Sequence, residues 1–158
     1  MEVMIDLETL STRGHAAILV IAGIKFNRNQ DHVNMENMDT FYKKVKINSC
    51  RHINMHVDEK TVKWWSEQDA EIQNEIFSLN DRVTIQDALG ELSAWFGKSD
   101  KVWCQGANFD IPILDEAYAR CGLTPPWKFW NVRDTRTLYE IAGINSKDLP
   151  HENKHHPL

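Results

Sequence analysis

Three acidic side chains have spacings that could do chemistry: Asp6 and Glu8 within Val3-Met4-Ile5-Asp6-Leu7-Glu8, and Asp110 within Asn108-Phe109-Asp110. Strand alternation places Val3, Ile5 and Leu7 on one face and Met4, Asp6 and Glu8 on the other. The two carboxylates then project side by side, about 6.6 Å apart. Like charges at that spacing repel and resist desolvation, so they require open solvent or a cation between them. A strand that ends at Asp6, with Glu8 opening a wet loop, satisfies the same residues. Asp110 falls between a strand ending at Cys104 and a helix starting near Ile111, a junction of the kind where α/β proteins bind ligands. It fits a plain helix N-cap equally well, with Pro112 tolerated in the first turn.

The surrounding pattern supplies the elements that must position these acids. Apolar runs predict strands at Val3 to Glu8, Ala16 to Phe26, Thr40 to Ile47, Lys101 to Cys104 and Phe129 to Val132. The first three, joined by short polar connections, predict an antiparallel meander. After Asp58 the period changes to that of short helices around Val62 with Trp65 and around Ile72, Ile76 and Phe77. Thr84-Ile85-Gln86-Asp87 reads as a capping box, followed at helical spacing by Ile85, Ala88, Leu89, Leu92 and Phe96. A second stripe, Ile111, Leu114, Tyr118 and Cys121, closes at Gly122, and Asp134 caps a last helix that Gly143 stops. Strands first, then strands alternating with helices, predict an α/β protein with a mixed sheet flanked by helices. No repeat or linker divides residues 1–150, which read as one domain, with 151–158 as a tail.

Composition narrows the class. The chain has 158 residues and a formal net charge of -5, with acidity concentrated in residues 58–120. Proteins that coat duplex phosphates tend to be basic, so avid non-specific duplex binding is not expected. The longest apolar run, Ala16 to Ile24, falls well short of the roughly 20 residues that cross a bilayer. No membrane partner is expected. The opening Met-Glu-Val-Met-Ile-Asp lacks the positive charge of a secretory signal. Cys50, Cys104 and Cys121 are scattered rather than paired. Both features predict a cytoplasmic protein with free thiols.

Val3-Met4-Ile5-Asp6-Leu7-Glu8-Thr9 resembles the first motif, D-x-E on the first strand, of the DnaQ-like DEDD 3′-5′ exonucleases. Asn108-Phe109-Asp110 resembles the second motif. His155-His156-Pro157-Leu158 resembles the opening of the third, H-x-x-x-x-D, in the histidine-bearing DEDDh subgroup. The stretches Thr61-Val62-Lys63-Trp64-Trp65 and Arg133-Asp134-Thr135-Arg136-Thr137-Leu138 extend the likeness to the compact exonucleases of phages, prophages and bacteria. The resemblance implies a ribonuclease H-like fold, with antiparallel first strands and parallel later ones. It also implies removal of nucleotides from single-stranded DNA or RNA 3′ ends. Asp6, Glu8 and Asp110 would hold two divalent cations, Mg2+ or Mn2+, and His155 would be the general base. Thr9, Leu10, Asn108 and Phe109 fall at the family's substrate-contacting positions, and a homodimer is the implied assembly. Two bound cations would reconcile the acidic chain with a phosphate substrate.

The third motif's Asp would fall at about position 160, counting by the family spacing, beyond Leu158. The rival expectation is therefore a catalytically impaired domain of the same fold that binds nucleic-acid ends. Other groups carry weaker expectations. His151, His155 and His156 have partial zinc-ligand spacing, but Pro150 and Pro157 argue against a helix there. Trp64-Trp65 is read as packing, and Lys43, Lys44 and Lys46 as a solvated strand edge. His15, His32, His52 and His56 carry no readable role.

Overall fold

The structure is a computed structural model that describes residues 1–29 and 38–148. Among these residues, five strands form one sheet: β1 (Glu2–Thr9), β2 (Ile18–Phe26), β3 (Thr40–Lys44), β4 (Lys101–Cys104) and β5 (Val132–Asp134). Their spatial order is β3-β2-β1-β4-β5. β1 and β2 pair antiparallel, as do β2 and β3, whereas β4 runs parallel to both β1 and β5. The expected mixed sheet is thus present, with β1 at its centre.

Alternation along β1 holds to its end. Val3 and Ile5 are fully buried and Leu7 is nearly so, while Met4, Asp6 and Glu8 on the opposite face are partly buried. Glu8 is therefore a strand residue, paired with Val20, and the ladder shifts register only between Glu8 and Thr9. β2 is apolar on both faces from Ile18 to Ala22, as befits a strand enclosed between two neighbours. At Gly23 a Cβ would come within 3.0 Å of the Trp95 ring, so the missing side chain is what lets that indole close over the strand.

Among the described residues, six helices flank the sheet: α1 (Ile47–His52), α2 (Glu59–Ser66), α3 (Ala70–Phe77), α4 (Ile85–Phe96), α5 (Ala107–Arg120) and α6 (Thr135–Ala142). Thr84 caps α4 through the Asp87 N–H, and its hydroxyl donates to the Asp87 carboxylate at 2.6 Å. The stripe Ile85, Ala88, Leu89, Leu92 and Phe96 is buried throughout. α4 is tied to α5 where the Tyr118 hydroxyl donates to the Leu89 carbonyl, and Trp127 packs edge-on against Tyr118 and Phe96.

Four boundaries differ from the sequence reading. β2 starts at Ile18, because Ala16 and Ala17 turn aside to the His56 backbone. β3 ends at Lys44, and Ile47 opens α1, a helix too short to register as a period. Phe129–Asn131 is a 3-10 turn, so the last strand begins at Val132. α5 begins at Ala107 rather than near Ile111, which puts Pro112 in its second turn, where it cannot donate to the Asn108 carbonyl.

Candidate active site

α5 starts early because its N-terminus is capped from a distant part of the chain. Gly106 takes a left-handed conformation (φ 111°), and the Asp134 carboxylate, at the end of neighbouring β5, accepts from the Gly106 and Ala107 N–H groups at 3.3 and 2.9 Å. The same carboxylate caps α6 through the Arg136 N–H at 2.9 Å. This clamp fixes the first turn of α5. Asp110, only 3% exposed, is thereby placed in the helix beside β1 rather than at its cap.

Asp6, Glu8 and Asp110 form one electrostatic cluster. Burial raises Asp6 to about 6. Burial, then the charges of Asp6 and Asp110, raises Glu8 to about 8. Asp110 is raised to about 7 by burial and by Asp6, against the opposing pull of hydrogen bonds from the Leu7 and its own backbone N–H and of the Arg136 charge. The Cys104 thiol feels the same field: burial and the charges of Asp110, Asp6 and Asp134 push it upward. None of the three acids forms an ion pair with a described residue.

Hard oxygen donors of this kind suit Mg2+, Mn2+ or Ca2+, and burying them without a counterion is costly. Their chemistry fits a divalent cation. Among the described residues, though, no three His, Cys, Asp or Glu side chains are grouped closely enough to hold a metal as they stand.

Beside the cluster lies a cavity of about 470 Å³, walled by Glu8, Thr9, Ser11, Asp58, Trp64 and Phe109 among others. The two tryptophans diverge. Trp65 is buried and donates to the Thr9 carbonyl at 2.9 Å, whereas Trp64 is 43% exposed and faces the cavity. The packing expectation holds fully for Trp65, while Trp64 packs edge-on against it and also lines the cavity; periodicity alone does not separate adjacent residues at the edge of a stripe.

Of the residues assigned to substrate by resemblance, Phe109 lines the cavity and Asn108 is exposed on the first turn of α5. Thr9 lines it too, but its hydroxyl is committed to the Ser11 carbonyl at 2.8 Å. Leu10, 3% exposed, is a core residue and not part of the wall. His155, with His151, His156 and His32, lies outside the described residues. Lys43 and Lys44 pair with Glu91 and Glu75. His56 accepts from or donates to the Ser11 hydroxyl at 2.8 Å. Ser11, Asp58 and Trp64 went unread because each is an ordinary surface residue type until folding brings residues 7–12, 58–65 and 109 together.

A mixed sheet of this order, with a D-x-E pair on its central first strand and a third acid on the facing helix, is the arrangement of a DnaQ-like exonuclease. The chain belongs to the 3′-5′ exoribonuclease Rv2179c-like domain family, whose profile matches residues 1–158. It is a 3′-5′ exonuclease, and hence a phosphodiester hydrolase. An exodeoxyribonuclease of Enterobacteria phage T4 is 27% identical over 160 residues, covering 87% of this chain and 70% of that protein. Among solved structures, that of cell-death related nuclease 4 (CRN-4) is 15% identical with a TM-score of 0.49, covering 74% of this chain and 38% of the other. No helix among the described residues is long and apolar enough to cross a membrane.

Proposed function

We propose that the protein removes nucleotides one at a time from single-stranded DNA or RNA 3′ ends, with Asp6, Glu8 and Asp110 holding two divalent cations. The observation that carries this reading is the cluster itself: three carboxylates driven above their ordinary range, none ion-paired with a described residue, with Glu8 lining the adjoining cavity. When bound, Mg2+ or Mn2+ would favour ionisation of the attacking water and stabilise charge on the departing 3′ oxygen.

The chain's own residues bind and orient the end. Trp64 and Phe109 offer π-faces to the terminal base, and stacking of this kind tolerates any sequence. Ser11 and Asp58 shape the wall of the same cavity, with the Ser11 hydroxyl held by His56 and the Asp58 carboxylate capping the start of α2. His155, by its motif, is the group that takes the proton from water, as a side chain titrating near neutrality can. The family's description favours RNA, and the T4 relative's name refers to DNA.

A matched pair of 5′-labelled strands, one DNA and one RNA, tests the reading with Mg2+ or Mn2+ present. A ladder shortening from the 3′ end supports it, and the strand cut faster identifies the preferred sugar. Internal cleavage, or equal loss of strands whose 3′ end is blocked, contradicts it.

A further inference from the structure

Among the described residues, one cation stands beside the acidic cluster without a protein partner. Arg136, second residue of α6, is exposed, and its guanidinium has no hydrogen bond or ion pair to any described residue, although its backbone N–H is held by Asp134. The head group is nonetheless placed. Its Nη1, Cζ and Nη2 atoms would lie 2.9, 3.1 and 3.3 Å from a Cβ on Gly106, so the guanidinium rests across the bare Cα of that glycine. Any side chain at position 106 would displace it. Gly106 opens the helix that carries Asp110, and the Arg136 charge reaches that carboxylate.

Most exposed arginines near acids fold down onto them. Here Asp110 is buried and served by backbone N–H groups, and Asp134 is spent on three backbone N–H groups of its own. None of the side-chain donors of Arg136 is taken by a described residue, and they form a fork suited to bidentate contact with phosphate oxygens.

We propose that Arg136 is a phosphate-binding residue of the exonuclease site, gripping a backbone phosphodiester of the substrate strand as its 3′ end enters. The assignment rests on the exonuclease reading above and adds to it a residue outside the three acidic motifs. Asp134 and Gly106 act as positioning residues: one fixes the start of α6, the other leaves room for the guanidinium.

The test compares wild type, Arg136→Ala and Arg136→Lys on a single-stranded oligonucleotide across a salt series, with melting temperature and Mn2+ binding measured alongside. Loss of one charged phosphate contact lowers kcat/KM by about ten- to a hundredfold in Arg136→Ala. It also makes the slope of log kcat/KM against log salt shallower by about 0.7. Arg136→Lys keeps the salt slope but recovers only part of the rate, because a point charge replaces a fork. Mn2+ binding and melting temperature stay at wild-type values in both. Wild-type kcat/KM and salt slope in Arg136→Ala would overturn the proposal alone. A lost rate with an unchanged slope and weakened Mn2+ binding would overturn it too, by showing that Arg136 acts only through Asp110. A wild-type protein with no 3′-end activity would take down the exonuclease reading and this proposal together.

Discussion

Glu8→Gln separates the electrostatics of the site from its catalysis. Burial and two neighbouring carboxylates raise Glu8 from 4.5 to about 8. A group whose folded value lies above its unfolded one holds a proton that the unfolded chain has lost, so stability is intact at low pH and falls as pH rises from about 4.5 through about 8. At about 1.4 kcal/mol for each pH unit, the whole shift corresponds to about 5 kcal/mol. Glu8 is partly exposed and shares its repulsion with Asp6 and Asp110, so solvent screening leaves roughly 1–2 kcal/mol to be regained by the neutral amide. For a domain of this size that is a rise in melting temperature of about 3–6 °C. Calorimetry of metal-free protein at about pH 8.5 reads the gain, and the same scan at about pH 4.5 shows it largely gone. Added Mg2+ or Mn2+ then stabilises wild type more than the variant, since the cation does by binding what the substitution does by neutralising. A Glu8→Gln protein less stable than wild type at high pH, or a gain independent of pH, would refute the reasoning.

Other outcomes follow from packing and exposure. Trp64→Ala raises KM for single strands by about five- to a hundredfold through lost stacking, with melting temperature nearly unchanged; a normal KM removes Trp64 from the substrate wall. Trp65→Ala, one residue on, costs about 3–5 kcal/mol in denaturant titration because it empties the core and strips the Thr9 carbonyl of its donor. With a thiol reagent on folded protein, Cys121 reacts first while buried Cys50 and Cys104 stay protected until unfolding; early labelling of Cys104 would contradict its placement beneath the acids.

β1 was readable because a period of two is strictly local: Val3, Ile5 and Leu7 announce the buried face, and Asp6 and Glu8 fall on the other whatever else the chain does. The capping box at Thr84 and the stop at Gly143 are equally local. The start of α5 is hidden in the sequence because Ala107-Asn108-Phe109 reads as loop after a glycine, and its first turn is capped by the Asp134 carboxylate arriving from another strand. α1 is six residues long with no side-chain cap, so neither period nor punctuation marks it. The acids could be picked out by type and spacing, but their shared field depends on Asp110 being carried to β1. The cavity and the free guanidinium of Arg136 exist only once segments far apart in the chain meet.

The central claim is that Asp6, Glu8 and Asp110 together hold the cations that the 3′-5′ cleavage needs. Mn2+-dependent release of mononucleotides from a 3′-labelled oligonucleotide by Asp110→Asn, set beside wild type at matched melting temperature, tests it most directly. Release abolished, with saturable Mn2+ binding weakened or lost, is the predicted result; wild-type release at the same Mn2+ concentration would contradict it.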